Sequence, residues 1–245
     1  MLDVEDNSGV TVLRLTHGKV NALDLGLLRA ITAAVGKARP EAAVVITGAG
    51  SAFSAGVDLR PIAEDGEPYV REFLPELSAT FMAVFGHPGP VLAAVNGHAI
   101  AGGCVLAAAC DVRVMSQGKI GLTELSVGVP FPPAAIEIMR HAVGPAASAL
   151  ALTAGLLDPP GAKATGLIHD VEAPEALLDS VVARARAMMR VPHDVFSFTK
   201  RQLQQPARER IAAQLGDEEA VLATWASART RAAIAAYLST LGKPA

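Results

Sequence analysis

Cysteine is almost missing from this chain: Cys104 and Cys110 are the two thiols in 245 residues. Both lie in alanine-rich apolar stretches, where a thiol packs as a small hydrophobe. Six residues apart on an expected helix, they do not face each other, so no disulfide is expected between them. No Cys/His spacing of a metal site occurs. A basic excess is missing too. The formal net charge is −3, with 21 Lys and Arg against 24 Asp and Glu, which argues against a general nucleic-acid binder. The acidic start, Met1-Leu2-Asp3-Val4-Glu5-Asp6, lacks the basic and apolar regions of a secretory leader. No charge-free apolar run reaches ~18 residues, the length a membrane span needs. Low-complexity linkers and short repeats are absent. These absences make a cytoplasmic location the expectation, with neither nucleic acid nor membrane as partner and no metal.

Apolar residues are plentiful, at 51%. A chain of this length suits one domain, or one domain with a helical appendage. It would bury roughly 70–75% of its unfolded surface, enough for a core without disulfides or metal. Val10–Leu15 alternates as a strand does. Asp24 suits the N-cap of a helix with Leu28, Ile31 and Val35 on one face. Ala43–Thr47 reads as a buried strand ended by Gly48-Ala49-Gly50. A helix over Pro68–Phe85 is expected to kink or break at Pro75, and His87-Pro88-Gly89-Pro90 stops it. Val91–Val95 and Asp111–Met115 read as strands on either side of a small-residue helix over Gly102–Ala109. The order predicts an α/β domain of ββα-like units. From Pro145 the pattern turns helical, with one short strand within Leu167–Val171 and helices over Asp194–Gln204 and Gly216–Leu241. Residues 1–190 are expected to form the α/β core and 191–245 a C-terminal helical region.

Three segments carry candidate chemistry. Gly48-Ala49-Gly50 after a strand invites a dinucleotide fingerprint, but Phe53 stands where a third small residue is required. Ser54-Ala55-Gly56-Val57-Asp58-Leu59, taken alone, reads as a strand-to-loop turn capped by Asp58. Ala101-Gly102-Gly103 changes the balance. A helix N-terminus carries free N–H donors and partial positive charge, which suit a developing oxyanion, and glycine lets a ligand approach the backbone. The helix behind it, Cys104–Cys110, has no charged side chain and is expected to be buried on all sides. Glu124 then follows in Gly121-Leu122-Thr123-Glu124-Leu125. Its neighbours Leu122, Leu125, Val127 and Val129 would dry the carboxylate and raise its pKa. The plainer alternative is a cap or ion pair at a strand end.

Two glycine turns and one glutamate in this order resemble the crotonase, or enoyl-CoA hydratase/isomerase, superfamily. The similarity is strongest from about Val20 to Val129. It implies an α/β crotonase (ClpP-like) fold, a spiral of ββα units with a C-terminal helical region. It also implies an acyl-CoA substrate, with coenzyme A entering as part of the thioester and no separate cofactor. The resemblance assigns the oxyanion donors to the N–H groups of Val57 and Gly102. Coenzyme A contacts fall to Ala55, Gly56, Val57, Asp58, Leu59 and Gly103, and to Asn21 and Ala22 with Lys19 as a phosphate neighbour. Phe196–Lys200 resembles the place where relatives bring a lysine, here Lys200, to coenzyme A. Family members assemble through the C-terminal region, so a homotrimer or dimer of trimers is expected.

Hydratases of the superfamily place a glutamate two residues beyond the Gly-Gly pair and a second after the next strand. Here the first position is Val105, and Glu124 holds the second. One base suffices to move a double bond, whereas hydration is well served by two. The pattern resembles the monofunctional Δ3,Δ2-enoyl-CoA isomerases, so an enoyl-CoA isomerase with Glu124 as proton shuttle is expected. The alternatives are an enoyl-CoA hydratase recruiting another carboxylate, such as Glu137, and a catalytically silent acyl-CoA binder. Glu137 also reads as solvated or as a partner for Arg140 three residues on, and His98, beside the second turn, reads as a packing histidine.

Overall fold

The computed structural model describes residues 1–240. It opens on a hairpin of β1 (Leu2–Asn7) and β2 (Val10–Leu15). The turn residues Ser8 and Gly9 have φ of 53° and 87°, a type I′ geometry whose twist suits antiparallel strands. β1 is a strand that periodicity did not announce, because its side chains are mostly exposed and its order comes from pairing along the length of β2.

Three units follow with a common plan. The first is α1 (Leu25–Lys37), β3 (Ala43–Gly48), β4 (Ala52–Ser54), α2 (Leu59–Asp65) and α3 (Glu67–Gly86). The second is β5 (Val91–Val95), β6 (His98–Ile100) and α4 (Gly102–Ala108). The third is β7 (Val112–Met115), β8 (Ile120–Gly121), a 3₁₀ turn over Glu124–Val127 and α5 (Pro133–Val143). The chain continues through α6 (Ala146–Thr153), β9 (Leu156–Leu157), α7 (Pro159–Ala164), β10 (Asp170–Val171) and α8 (Leu177–Met188). It ends in α9 (His193–Ala213), α10 (Glu218–Ala226) and α11 (Ala228–Thr240).

In each unit the first strand joins one sheet and the second strand joins another. The larger sheet runs β1-β2-β3-β5-β7-β10 and the smaller β4-β6-β8-β9. Pairing is parallel except at β1/β2 and β8/β9. This is the expected α/β architecture of ββα units. Period-two alternation divides the large sheet's side chains between two cores. Leu13, Leu15, Val44, Ile46, Val91 and Ala93 join the main one. Val10, Val12, Ala43, Val45 and Leu92 face Val181, Val182 and Ala185 of α8.

Two expectations about helices are amended. Of the kink or break expected at Pro75, the break does not occur, and α3 continues through it. The ring sits on the exposed face, and burial of Val70, Phe73, Leu74, Leu77 and Phe81 outweighs the ~3 kcal/mol that an internal proline costs. The expected Gly216–Leu241 helix is instead two, α10 and α11, parted at Ser227, and Leu241 lies outside the described residues. The Ser227 hydroxyl accepts from Thr230 N at 3.1 Å and so caps α11. Among the described residues no helix is long and apolar enough to cross a membrane, and no cluster of three metal-ligating side chains occurs.

α9 is clamped to α5 through Glu137, whose side chain is 0% exposed. Its carboxylate accepts from Arg140 and Arg210, each at 2.5 Å, and from Gln214 at 3.1 Å. Burial pushes this carboxyl up, but the hydrogen bonds from Arg210 and Gln214 and the charge of Arg140 outweigh it and hold the pKa below its ordinary value. Glu137 is thus paired as its spacing suggested, and not solvated. Replacing it by alanine leaves two half-exposed arginines to water and removes their buried acceptor. Glu137→Ala is expected to lose about 1–2 kcal/mol in urea unfolding at pH 7. A carboxylate held low contributes stability above its ordinary pKa and loses it as pH falls. The gap between wild type and variant is therefore expected to close toward acid pH.

Candidate active site

A cavity of about 350 Å³ is lined by both glycine turns, by Glu124, and by residues of α2, α3, α5, α10 and α11. The first turn is set by a parallel bridge of Leu23 to Val57. Leu23 N donates to Gly56 O at 2.8 Å and Asp58 N to Leu23 O at 2.9 Å. This spends the backbone groups flanking Val57 and turns the Val57 N–H away from Leu23. Gly56 takes φ 88°, and a Cβ there would stand 2.7 Å from Ile100 O and 3.3 Å from Gly102 N. The two turns are in contact.

The second turn is held by the small sheet. β6 pairs with β8, Ile100 opposite Gly121, and Ala101 N donates to Gly121 O at 2.8 Å. Ala101 takes φ 51° and ψ −121° before Gly102 opens α4. A non-glycine residue there costs of order 1–3 kcal/mol, and such strain clusters at functional sites. Val57 and Gly102 both line the cavity, and neither N–H meets an acceptor among the described residues. α4 is buried throughout, as its lack of charge foretold.

The β6/β8 tether also delivers Glu124, three residues beyond Gly121. The side chain is 8% exposed, and Oε2 has no hydrogen-bond partner among the described residues. Burial raises its pKa to about 7, against a smaller opposing pull from the backbone amides of Glu124 and Thr123. Val105 lines the same cavity. The other lining carboxylate, Asp58, is engaged as the N-cap of α2, accepting from Arg60 N at 3.1 Å. A dry, unpaired carboxylate beside two free amides suits removal of a proton next to a carbonyl.

Residues 5–243 match the family model of enoyl-CoA hydratase/isomerase. The chain belongs to that family. Over 163 residues, 64% of either chain, it is 37% identical to a putative enoyl-CoA hydratase of Thermus thermophilus. It is 24% identical to human mitochondrial enoyl-CoA delta isomerase 1 over 222 residues, covering 87% of this chain and 74% of that one. The crystal structure of human mitochondrial delta3-delta2-enoyl-CoA isomerase superposes with a TM-score of 0.92 at 22% identity, covering 98% and 97% of the two chains. The architecture is therefore the crotonase fold.

Not every expected contact of this enoyl-CoA hydratase/isomerase family member falls on the cavity. Ala22, Ala55, Val57, Asp58, Leu59, Gly102 and Glu124 line it. Gly56 stands behind the first turn. Gly103 is a packing glycine, since a Cβ there would lie 2.3 Å from Ser54 O. Asn21, at φ 52°, spends its amide on Ala52 O and Ala49 O and accepts from His17 N. Lys19 is exposed and off the lining, as is His98. Lys200 lies away from this cavity. Only 7% exposed, it donates to Asp111 Oδ2 at 2.7 Å and Gly89 O at 3.1 Å, beside a second cavity bounded by the far end of α4. A buried ammonium needs a counter-charge, and Asp111 supplies it. Gly48 N donates to Asn96 Oδ1 and the chain runs from the glycine turn into strand β4 rather than into a helix, so no dinucleotide cradle forms. Sequence reasoning missed Leu77, Phe81, Arg60, Trp225, Tyr237 and Leu238 as lining residues. Their distance along the chain hides them, and only the apolar faces of their helices hinted at partners.

A carboxyl held above its ordinary value is a stability debt. Both states are protonated well below pH 4.5, and the folded state alone must ionise a dried group above pH 7. Wild-type stability is therefore expected to fall between these limits. Glu124→Gln lacks this titration and is expected to be more stable than wild type at pH 8 by on the order of 3 kcal/mol, with a smaller gap at pH 5. Denaturant titrations at both pH values measure it; an equal gap at both would show that Glu124 is ionised in the native state throughout.

Proposed function

We propose that this protein is an enoyl-CoA isomerase that shifts the double bond of a 3-enoyl-CoA to the 2,3 position. The observation that carries this reading is the pairing of Glu124 with Val105 on one cavity, which leaves a single unengaged carboxylate among the described lining residues. The Glu124 carboxylate takes a proton from C2 of the thioester. The electron pair moves into the conjugated enolate, whose oxygen is held by the Val57 and Gly102 N–H groups. Protonated Glu124 then returns the proton to C4, and the double bond comes to rest between C2 and C3. Nothing is added or lost. Oxyanion donors of this kind contribute on the order of 3–4 kcal/mol each. A pKa near 7 suits Glu124 to both halves of the relay. Ala22, Ala55 and Leu59 form the wall along which the coenzyme A arm would enter.

Purified protein given a 3-enoyl-CoA is expected to develop conjugated-thioester absorbance, with a rate that rises through about pH 7 as Glu124 ionises. Glu124→Gln is expected to lower kcat by ~10²–10⁴. Unchanged turnover would remove Glu124 from the mechanism. Hydration of crotonyl-CoA without isomerisation would favour the hydratase alternative, and acyl-CoA binding without turnover the silent binder.

The same reading carries a homotrimer or dimer of trimers. α9 leaves Val195, Phe198 and Leu203 exposed, as a subunit contact would require. Light scattering is expected to return three or six chain masses; a single chain mass would end this assembly.

A further inference from the structure

α10 lies between two spaces. On one side Trp225 lines the catalytic cavity with Leu77 and Phe81 of α3. On the other, Val221 and Leu222 face Leu74 and Ser78 of the same helix across a separate pocket of about 130 Å³ that opens to solvent beside Glu218 and Glu219. Pro132 borders both. Trp225 is the bulkiest side chain of this partition. It is 2% exposed and pinned in place, its indole Nε1 donating to Pro130 O at 2.9 Å. Along the inner wall, Leu77, Phe81, Val105, Ala135 and Trp225 are all apolar; of the lining carboxylates among the described residues, Glu124 is buried and Asp58 caps α2. The lining cation, Arg60, has a largely exposed side chain. A charged acyl tail would find no counter-ion in the interior, where an unpaired charge is costly.

Resting on the isomerase reading for its substrate, we propose that α10 is the acyl-length gauge of this enzyme. The cavity takes an uncharged, apolar acyl chain, and the Trp225 indole is the end-stop that fixes how many methylenes fit. Removing the indole joins the cavity to the pocket beyond Pro132. The C-terminal helices thereby act as a specificity element for their own chain's site.

The test measures calorimetric affinity for saturated straight-chain acyl-CoAs of increasing length, and in parallel the turnover of the matching 3-enoyl-CoAs. Wild-type affinity is expected to climb with length and then stop at a defined break. Trp225→Ala should move that break to longer chains, with about tenfold regained per extra methylene admitted. Trp225→Phe keeps a ring without the N–H donor and should hold the break near the wild-type length. Trp225→Leu, a milder truncation, should fall between and serves if the alanine variant does not fold. A truncated variant with native melting behaviour and an unmoved break would overturn the gauge. So would a phenylalanine variant that shifts as far as alanine, because the indole would then act only through Pro130. Binding does not need Glu124 chemistry. A length break without turnover would therefore fail the isomerase reading while keeping the gauge.

Discussion

The parallel pairing of β6 with β8 is the constraint on which the site depends. Ile100 opposite Gly121, and Ala101 N on Gly121 O at 2.8 Å, tie the strand leading into the second glycine turn to the strand leading into Glu124. Because β4 pairs with β6 in the same sheet, the entry to the first turn comes to the same place. Three segments, spread along the chain from Val57 through Gly102 to Glu124, thus end at one cavity. Each brings a different group: an amide from Val57, an amide from Gly102, and a carboxylate from Glu124.

The apolar wall around that meeting point has two consequences of one cause. Excluding water raises the Glu124 carboxyl to about 7 and leaves Oε2 without a partner, which lowers stability and prepares a base. The same exclusion strengthens any hydrogen bond from the two amides to a developing oxyanion. The strained Ala101 belongs to the same arrangement, since α4 and β8 hold it in a conformation that leaves the Gly102 N–H without an acceptor at the cavity wall.

Much of the architecture was legible. β2, β3, β5 and β7 are short apolar runs whose alternation divides two cores, and glycine or proline punctuates their ends. The residues of both glycine turns and Glu124 could be nominated in advance through their resemblance, in that order, to the crotonase superfamily; taken alone, the first turn reads as a plain strand-to-loop turn. What escaped was governed by long-range packing. β1 has no apolar signature and is ordered by its partner. Pro75 lost to the apolar face of α3. Lys200 carries a charge that suits a phosphate as well as it suits Asp111, and only the fold put Asp111 within 2.7 Å.

The chain's local chemistry by itself determined the ββα framework, the buried helix α4, and the presence of one glutamate where a pair would have served hydration. Period-two and helical patterning, glycine freedom and the chemistry of Val105 are properties of neighbouring residues, so they can be read without a fold. Tertiary structure alone decided which groups share the cavity. It turned Asn21, Gly103 and Lys200 into scaffold and brought Trp225, Tyr237 and Leu238 back across the site. Those outcomes depend on contacts between residues far apart in the chain, whose pairing no local pattern encodes.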